Sequence, residues 1–188
     1  SFVSYNTDFN YIESSRMASY EMFKSAGVNV PETARFETRQ EMIKHVSIPC
    51  VVKFDTHVTL GTQTVVVKDN ADYKHLFQMH NAFHVPGIVQ KYIQGYEFTY
   101  TVLVGESNWV PVGIAQDYKK QFDGNVGLNT FGMGSIAPFN APDVNDIVDK
   151  IVSCLMKDKF KGFVSCQFIV DDDVWLMECN TRICDPEF

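Results

Sequence analysis

No apolar run in this chain approaches the roughly 20 residues that a membrane-crossing helix requires, so no membrane partner is expected. The chain starts at Ser1 with neither a basic stretch nor the apolar core of a signal peptide, which predicts a cytoplasmic chain without a targeting segment. The missing initiator methionine fits a piece of a longer protein. Positive charge is also scarce: 16 Lys and Arg stand against 23 Asp and Glu, a net charge of -7. That balance excludes a broad nucleic-acid surface, because phosphate backbones are bound by clustered cations; any cation that matters here acts locally. The five cysteines, Cys50, Cys154, Cys166, Cys179 and Cys184, include no CxxC pair, which argues against a zinc site and predicts reduced, mostly buried thiols. Repeats and low-complexity segments are absent. What remains is a chain of 188 residues, 45% hydrophobic, sufficient for one or two compact soluble domains.

Periodicity gives the element order. Ile12, Met17, Tyr20, Met22 and Phe23 recur at helical spacing up to Ala26, Gly27 stands where a terminator belongs, and Arg16 lies in the first turns. Thr38 can cap a second helix, Thr38 to Val46, ahead of Glu41. IPCVVKF and TQTVVVK read as two strands of a hairpin. A helix is expected from Asn70 to His80, followed by the strands GIVQKYI, EFTYTVLV and SNWVPVGIAQD. The polar, glycine-rich YKKQFDGNVGLNTFGMGS then reads as a long functional loop. Asp143 to Lys157 is amphipathic, with Val144, Ile147, Val148, Ile151, Val152 and Leu155 on one side. GFVSCQFIV and VWLMECN close the chain as strands around the acidic turn Asp171 to Asp173; Trp175 is assigned to the core. This is an α+β pattern with mainly antiparallel pairing, not the strict alternation of a doubly wound sheet.

Two groups of residues carry chemistry. Glu178 and Asn180, two apart on a strand, share a face. One anionic and one neutral oxygen donor suit a hard divalent ion such as Mg2+ that keeps waters and binds substrate phosphates; the alternative is a solvated strand end. Arg182, if the strand continues, can hold a phosphate or carboxylate with its fork of donors. Lys53 sits in a β-branched run, either pointing to solvent or facing a phosphate.

Five blocks resemble one family in the correct order. QDYKKQFDGNVGLNTFGMG is similar to the QDHKR and GDxGPNTGGMG segments of phosphoribosylamine-glycine ligases (glycinamide ribonucleotide synthetases), and MECNTRICDPE to their EFNCRFGDPE. IESSRMASYEMFKSAGVNVPETARF, PCVVKFD and IVQKYIQGYEFTYTVLV resemble GSKAFAKDFMxxxGIPTAxF, PxVVKAD and VIEEFLxGEEFSxxAFV. The resemblance implies an ATP-grasp fold, α+β, with two lobes of mainly antiparallel sheet clasping ATP. It divides the chain into a helical lead-in (1–46), a small lobe with the phosphate-side hairpin and hinge (47–92) and a large lobe with the acceptor loop and metal strand (93–188), lacking the family's flanking domains.

The activity implied is ATP-dependent joining of glycine to phosphoribosylamine through an acyl phosphate, with Mg2+ or Mn2+. Position by position, Arg16 and Lys53 correspond to the residues on the ATP phosphates, Gln90, Lys91 and Tyr92 to the adenine hinge and Glu97 to the ribose acid. Glu178 and Asn180 correspond to the metal pair. Arg182, Asp185 and Lys119 fall at the reacting groups. Asp117, Asn129, Thr130, Gly132, Met133, Gly134, Pro186 and Glu187 fall on the acceptor side. The glycine-rich GLAAGKGV of the family is THVTLGTQTV here, Thr56 to Val65, retaining only Gly61. Leu128 and Phe131 replace a proline and a glycine, so the ring of Phe131 narrows the pocket, stacks on a substrate or plugs the loop. Another amine acceptor, or a catalytically weak nucleotide-binding module, are the alternatives.

Overall fold

The computed structural model describes residues 10–55, 64–83, 86–124 and 126–184, without the side chains at 10, 14, 79–83, 126, 128, 129 and 131. The expected first helix is two, α1 (Asn10–Ser14) and α2 (Arg16–Ser25), separated by Ser15 at φ -121°, ψ 77°. Serine competes with the helix for backbone hydrogen bonds, and two in succession favour a break. Gly27 ends α2 with φ +76°, a conformation open to glycine without a Cβ penalty. Lys150 Nζ donates to the Gly27 carbonyl at 3.2 Å, placing a cation at that helix end.

The chain falls into two compact units. The described residues of the first lie within Ser1–Val30, Gln94–Tyr118 and Gly134–Phe188; those of the second lie within Pro31–Ile93 and Lys119–Met133.

The second unit holds β1 (Thr33–Phe36), α3 (Arg39–His45), β2 (Cys50–Phe54), β3 (Thr64–Val67), α4 (Asn70–Phe83) and β4 (Gly87–Lys91). Its four strands run in the order β1-β4-β2-β3, all antiparallel. As expected, Thr38 caps α3, its Oγ1 accepting from Glu41 N–H at 3.3 Å. The Glu41 carboxylate reaches back to Glu37 N–H at 2.7 Å. Alternation sends Phe36, Cys50, Val52, Phe54, Val65, Val67 and Val89 to one face, where they bury Met42 of α3 and Leu76 of α4. Each large apolar side chain buried this way contributes about 1.5–3 kcal/mol.

β5 (Tyr96–Val104), β6 (Trp109–Phe122), β7 (Val126–Ile136), β8 (Gly162–Val170) and β9 (Val174–Asn180) form a five-stranded sheet in the order β7-β6-β5-β8-β9, with β8 antiparallel to both β5 and β9, and the first unit also holds α5 (Asn145–Lys157). Phe98, Tyr100, Val102 and Val104 of β5, with Val164, Cys166 and Phe168 of β8, pack on Phe23 of α2 and the Val148, Ile151, Val152, Leu155 stripe of α5.

The stretch read as a loop is a correction. It forms most of a long hairpin, β6 (Trp109–Phe122) and β7 (Val126–Ile136). Both of its faces carry polar residues or glycine, so the apolar alternation that betrays a strand is missing; the Asp123-Gly124 turn, with Gly124 at φ +76°, was the surviving signal. Trp175 is also corrected. It stands outside the core cluster, half-buried, and its Nε1–H donates to Asp171 Oδ1 at 2.9 Å across the acidic turn. All five cysteines are buried and free of disulfides.

Candidate active site

Each sheet has one face packed on helices and a second face that carries the candidate residues. In the four-stranded sheet the register pairs Val51 with Gln90 and Lys53 with Ile88, so Val51, Lys53, Ile88 and Gln90 share the face away from α3 and α4. Lys53 is 5% exposed and Gln90 1%. The solvent-pointing alternative for Lys53 is thereby removed. Gln90 Nε2 donates to Thr33 Oγ1 at 3.2 Å, while that hydroxyl donates its single proton to the Pro31 carbonyl at 2.7 Å. Thr33 can therefore only accept from Gln90, which fixes the amide orientation and leaves Gln90 Oε1 as a buried acceptor without a donor among the described residues. Lys91 N–H is taken by the Glu32 carbonyl at 2.8 Å, and the Lys91 side chain is exposed. Tyr92 is half-buried, with Lys68 Nζ 4.9 Å from its ring centroid.

The five-stranded sheet carries a buried polar face. Two cross-strand rows are set by register: Asn180, Ser165 and Thr101 form one, and Glu178, Gln167 and Thr99 the other. Thr99, Thr101 and Ser165 are fully buried and Asn180 is 2% exposed. Thr99 Oγ1 donates to Asp117 Oδ2 at 2.6 Å. Ser165 Oγ donates to the Arg182 carbonyl at 2.9 Å, so Thr101 Oγ1 is the donor in its 2.8 Å bond to Ser165 Oγ. Glu97, half-buried, shares this face because β5 alternates without interruption to Thr101.

The Glu178–Asn180 pair depends on a β-bulge. Gln167 opposes Glu178 but Phe168 opposes Leu176, so Met177 is an extra residue in β9. Without it, Leu176, Glu178 and Asn180 would share one face; with it, Leu176 and Cys179 enter the core while Glu178 and Asn180 turn to the polar face. The Met177 carbonyl accepts from Tyr20 Oη of α2. A carboxylate and an amide oxygen fixed on one strand face match the donor chemistry of a hard divalent cation. Among the described residues, no group of three or more His, Cys, Asp or Glu forms a further candidate metal site.

Arg182 does not extend this face, because β9 ends at Asn180. Its Nε donates to Glu13 Oε2 at 3.2 Å and its Nη2 lies 3.5 Å from Asn180 Oδ1. Burial works to lower the Arg182 guanidinium, and the nearby Glu13, Cys184 and Glu178 outweigh it and leave the group raised. Arg16 opens α2 and is half-buried.

On the hairpin, Lys119 is half-buried and its carbonyl accepts from Thr130 Oγ1 at 2.9 Å; Gly132 N–H donates back to Thr130 Oγ1 at 3.1 Å. Met133 is 60% exposed, and open space surrounds Gly134. Asp185, Pro186, Glu187 and the segment Thr56 to Gln63 lie outside the described residues, as do the side chains of Asn129, Leu128 and Phe131. Sequence reasoning missed Glu13, Tyr20, Thr33, Thr99, Thr101, Ser165 and Gln167. The polar alternation of Glu97, Thr99 and Thr101 within EFTYTVLV was a legible sign of the buried polar face. Glu13 left none, being 168 positions from Thr181, which it holds.

Residues 14–188 match the family described as the phosphoribosylglycinamide synthetase, ATP-grasp (A) domain. The chain belongs to this family. It is 25% identical over 189 residues to the phosphoribosylamine--glycine ligase of Lactococcus lactis, covering 94% of this chain and 46% of that protein. The crystal structure of phosphoribosylamine--glycine ligase from Thermotoga maritima superposes with a TM-score of 0.76 at 25% identity, over 92% of this chain and 48% of that one. N5-carboxyaminoimidazole synthetase from Staphylococcus aureus, complexed with ADP, shares the fold with a TM-score of 0.71 at 16% identity, over 93% of this chain and 46% of that one. The chain thus has the α+β ATP-grasp fold and spans about half the length of the curated ligases it matches. No described helix is long and apolar enough to cross a membrane.

Proposed function

We propose that this ATP-grasp domain is the nucleotide-handling part of a cytoplasmic, ADP-forming ligase of purine biosynthesis that joins glycine to phosphoribosylamine. The observation that carries the reading is the β9 bulge, which delivers Glu178 and Asn180 together onto a buried polar face of a domain in this family. Lys53 and Arg16 hold ATP phosphates, Gln90, Lys91 and Tyr92 meet the base, and Glu97 takes the ribose hydroxyls. Gln90 Oε1, a buried acceptor, selects the exocyclic amine of adenine over the carbonyl oxygen of guanine. Glu178 and Asn180 are the ligands for Mg2+ or Mn2+, which when bound would supply charge neutralisation at the phosphates.

Forming an acyl phosphate brings two anions together, so the protein's task is positioning and neutralisation rather than proton transfer. Arg182, Lys119 and Asp185 act at the reacting groups. Asp117, Asn129, Thr130, Gly132, Met133, Gly134, Pro186 and Glu187 frame the acceptor. Residues 1–46, 47–92 and 93–188 serve as helical lead-in, small lobe and large lobe.

Phosphate release from ATP tests the reading, measured on the longer protein containing this chain with glycine and enzymatically generated phosphoribosylamine. Turnover that requires both substrates supports it. Phe131→Gly lowers turnover if the ring belongs to the working pocket and raises it if the ring blocks phosphoribosylamine. Turnover with glycine and other amines but not with phosphoribosylamine, in either form, overturns the purine assignment and leaves a ligase for another amine.

A further inference from the structure

The strand that delivers Glu178 and Asn180 ends at Asn180, so pleat alternation cannot aim Arg182. The orientation comes from a distant helix. Glu13 of α1 uses both carboxylate oxygens: Oε1 accepts from Thr181 N–H at 3.0 Å and Thr181 Oγ1 at 3.3 Å, and Oε2 accepts from Arg182 Nε at 3.2 Å. Thr181 is 3% exposed, and Ser165 Oγ donates to the Arg182 carbonyl at 2.9 Å. Two successive residues are thereby fixed immediately after Asn180, and the guanidinium donates from Nη1 to the Ile183 carbonyl at 3.3 Å and has Nη2 at 3.5 Å from the Asn180 oxygen.

We propose that Glu13 is a positioning residue for this group: it takes over from the ended strand in aiming Arg182 and in holding the Asn180 end of β9. The inference rests on the reading of Glu178 and Asn180 as the metal pair. Glu13 acts through Arg182 and Thr181. A carboxylate suits the task because two acceptor oxygens face three donors, one of them charged. Glutamine keeps an acceptor for Thr181 but turns an N–H donor toward the Arg182 Nε donor.

The test is titration of the chain with Mn2+ and ATP, followed by calorimetry and by Mn2+ electron paramagnetic resonance, and with ATP in chelator. Glu13→Gln is expected to weaken Mn2+-dependent ATP binding about tenfold while changing chelated ATP less than about twofold. In an Arg182→Ala background the same replacement should add less than about twofold, since no guanidinium remains to be aimed. Equal losses in both backgrounds, or an unchanged Mn2+-dependent affinity, overturn the proposal and leave Glu13 a support of the fold. Glu13→Asp, which keeps the charge but withdraws it by one methylene, should show the same non-additivity and serves if the glutamine variant does not fold. Glu178→Gln is the control: if it weakens Mn2+-dependent binding and Glu13→Gln does not, only the role of Glu13 fails. If neither does, the metal reading fails and takes this inference with it.

Discussion

The two sheets solve the same problem differently. Each turns one face to helices and the other to chemistry, yet on the four-stranded sheet Lys53 and Gln90 stand among Val51 and Ile88, while the five-stranded sheet presents a hydrogen-bonded grid. Register adds Thr33, Arg35 and Thr64 to that face, but the apolar Val51 and Ile88 beside Lys53 and Gln90 suit a flat base and one phosphate contact, where a single misplaced group decides selectivity. The grid suits charge. Thr101, Ser165 and the Arg182 backbone form a connected chain, Glu13 holds Thr181 and Arg182 and Tyr20 holds the Met177 carbonyl from the helices, and Glu178 and Asn180 stand among neighbours that are themselves held. Sensitivity should therefore be concentrated in the smaller unit and distributed in the larger one.

That contrast can be broken by substitution. Lys53→Ala removes a buried strand cation and is expected to weaken ATP binding about 100-fold, against about tenfold for Arg16→Ala, whose helix-start side chain is more readily replaced by water; nucleotide titration compares them, and the reverse order contradicts the concentrated site. Gln90→Leu removes the unsatisfied acceptor and should reduce the preference for ATP over GTP about tenfold without lowering the melting temperature. A preserved preference would show that Gln90 Oε1 does not select the base.

In the grid, Thr101→Val deletes one buried hydroxyl donor and should cost about 1 kcal/mol of stability, roughly 2–4 °C in Tm, with ATP affinity nearly intact. A large loss of affinity would show that the grid is not distributed. The smallest effect concerns the thiols. A hydrogen bond with Cys166, and then burial, push Cys179 well above the usual thiol range, so it stays protonated in the native chain. Raising the pH from about 7 to about 9 should speed alkylation of the unfolded chain and leave native Cys179 unreacted; rapid native labelling would mean that this part of the core opens readily.

Much of this is legible in the amino-acid sequence. The α5 stripe, the Thr38 cap, the β2–β3 hairpin and the closing strands all follow from periodicity and punctuation, because each packs one face on a core. The end of β6 and β7 were hidden for the opposite reason, although the start of β6 was expected as the strand SNWVPVGIAQD: with polar side chains and glycines on both faces, no burial wrote an alternation into them. Glu178 and Asn180 were legible as a same-face pair, but the Met177 bulge was not, since an extra residue in a strand leaves no mark until its partner is known. Glu13 belongs to the same class, a contact made by the fold rather than by local sequence.

The most direct measurement is calorimetric titration of the chain with ATP, in Mg2+ and in chelator, for the wild type, Glu178→Gln and Asn180→Ala. The account predicts that Mg2+ strengthens ATP binding in the wild type and that this gain is lost in both variants, while chelated ATP binds all three alike. An undiminished gain from Mg2+ in both variants would contradict it.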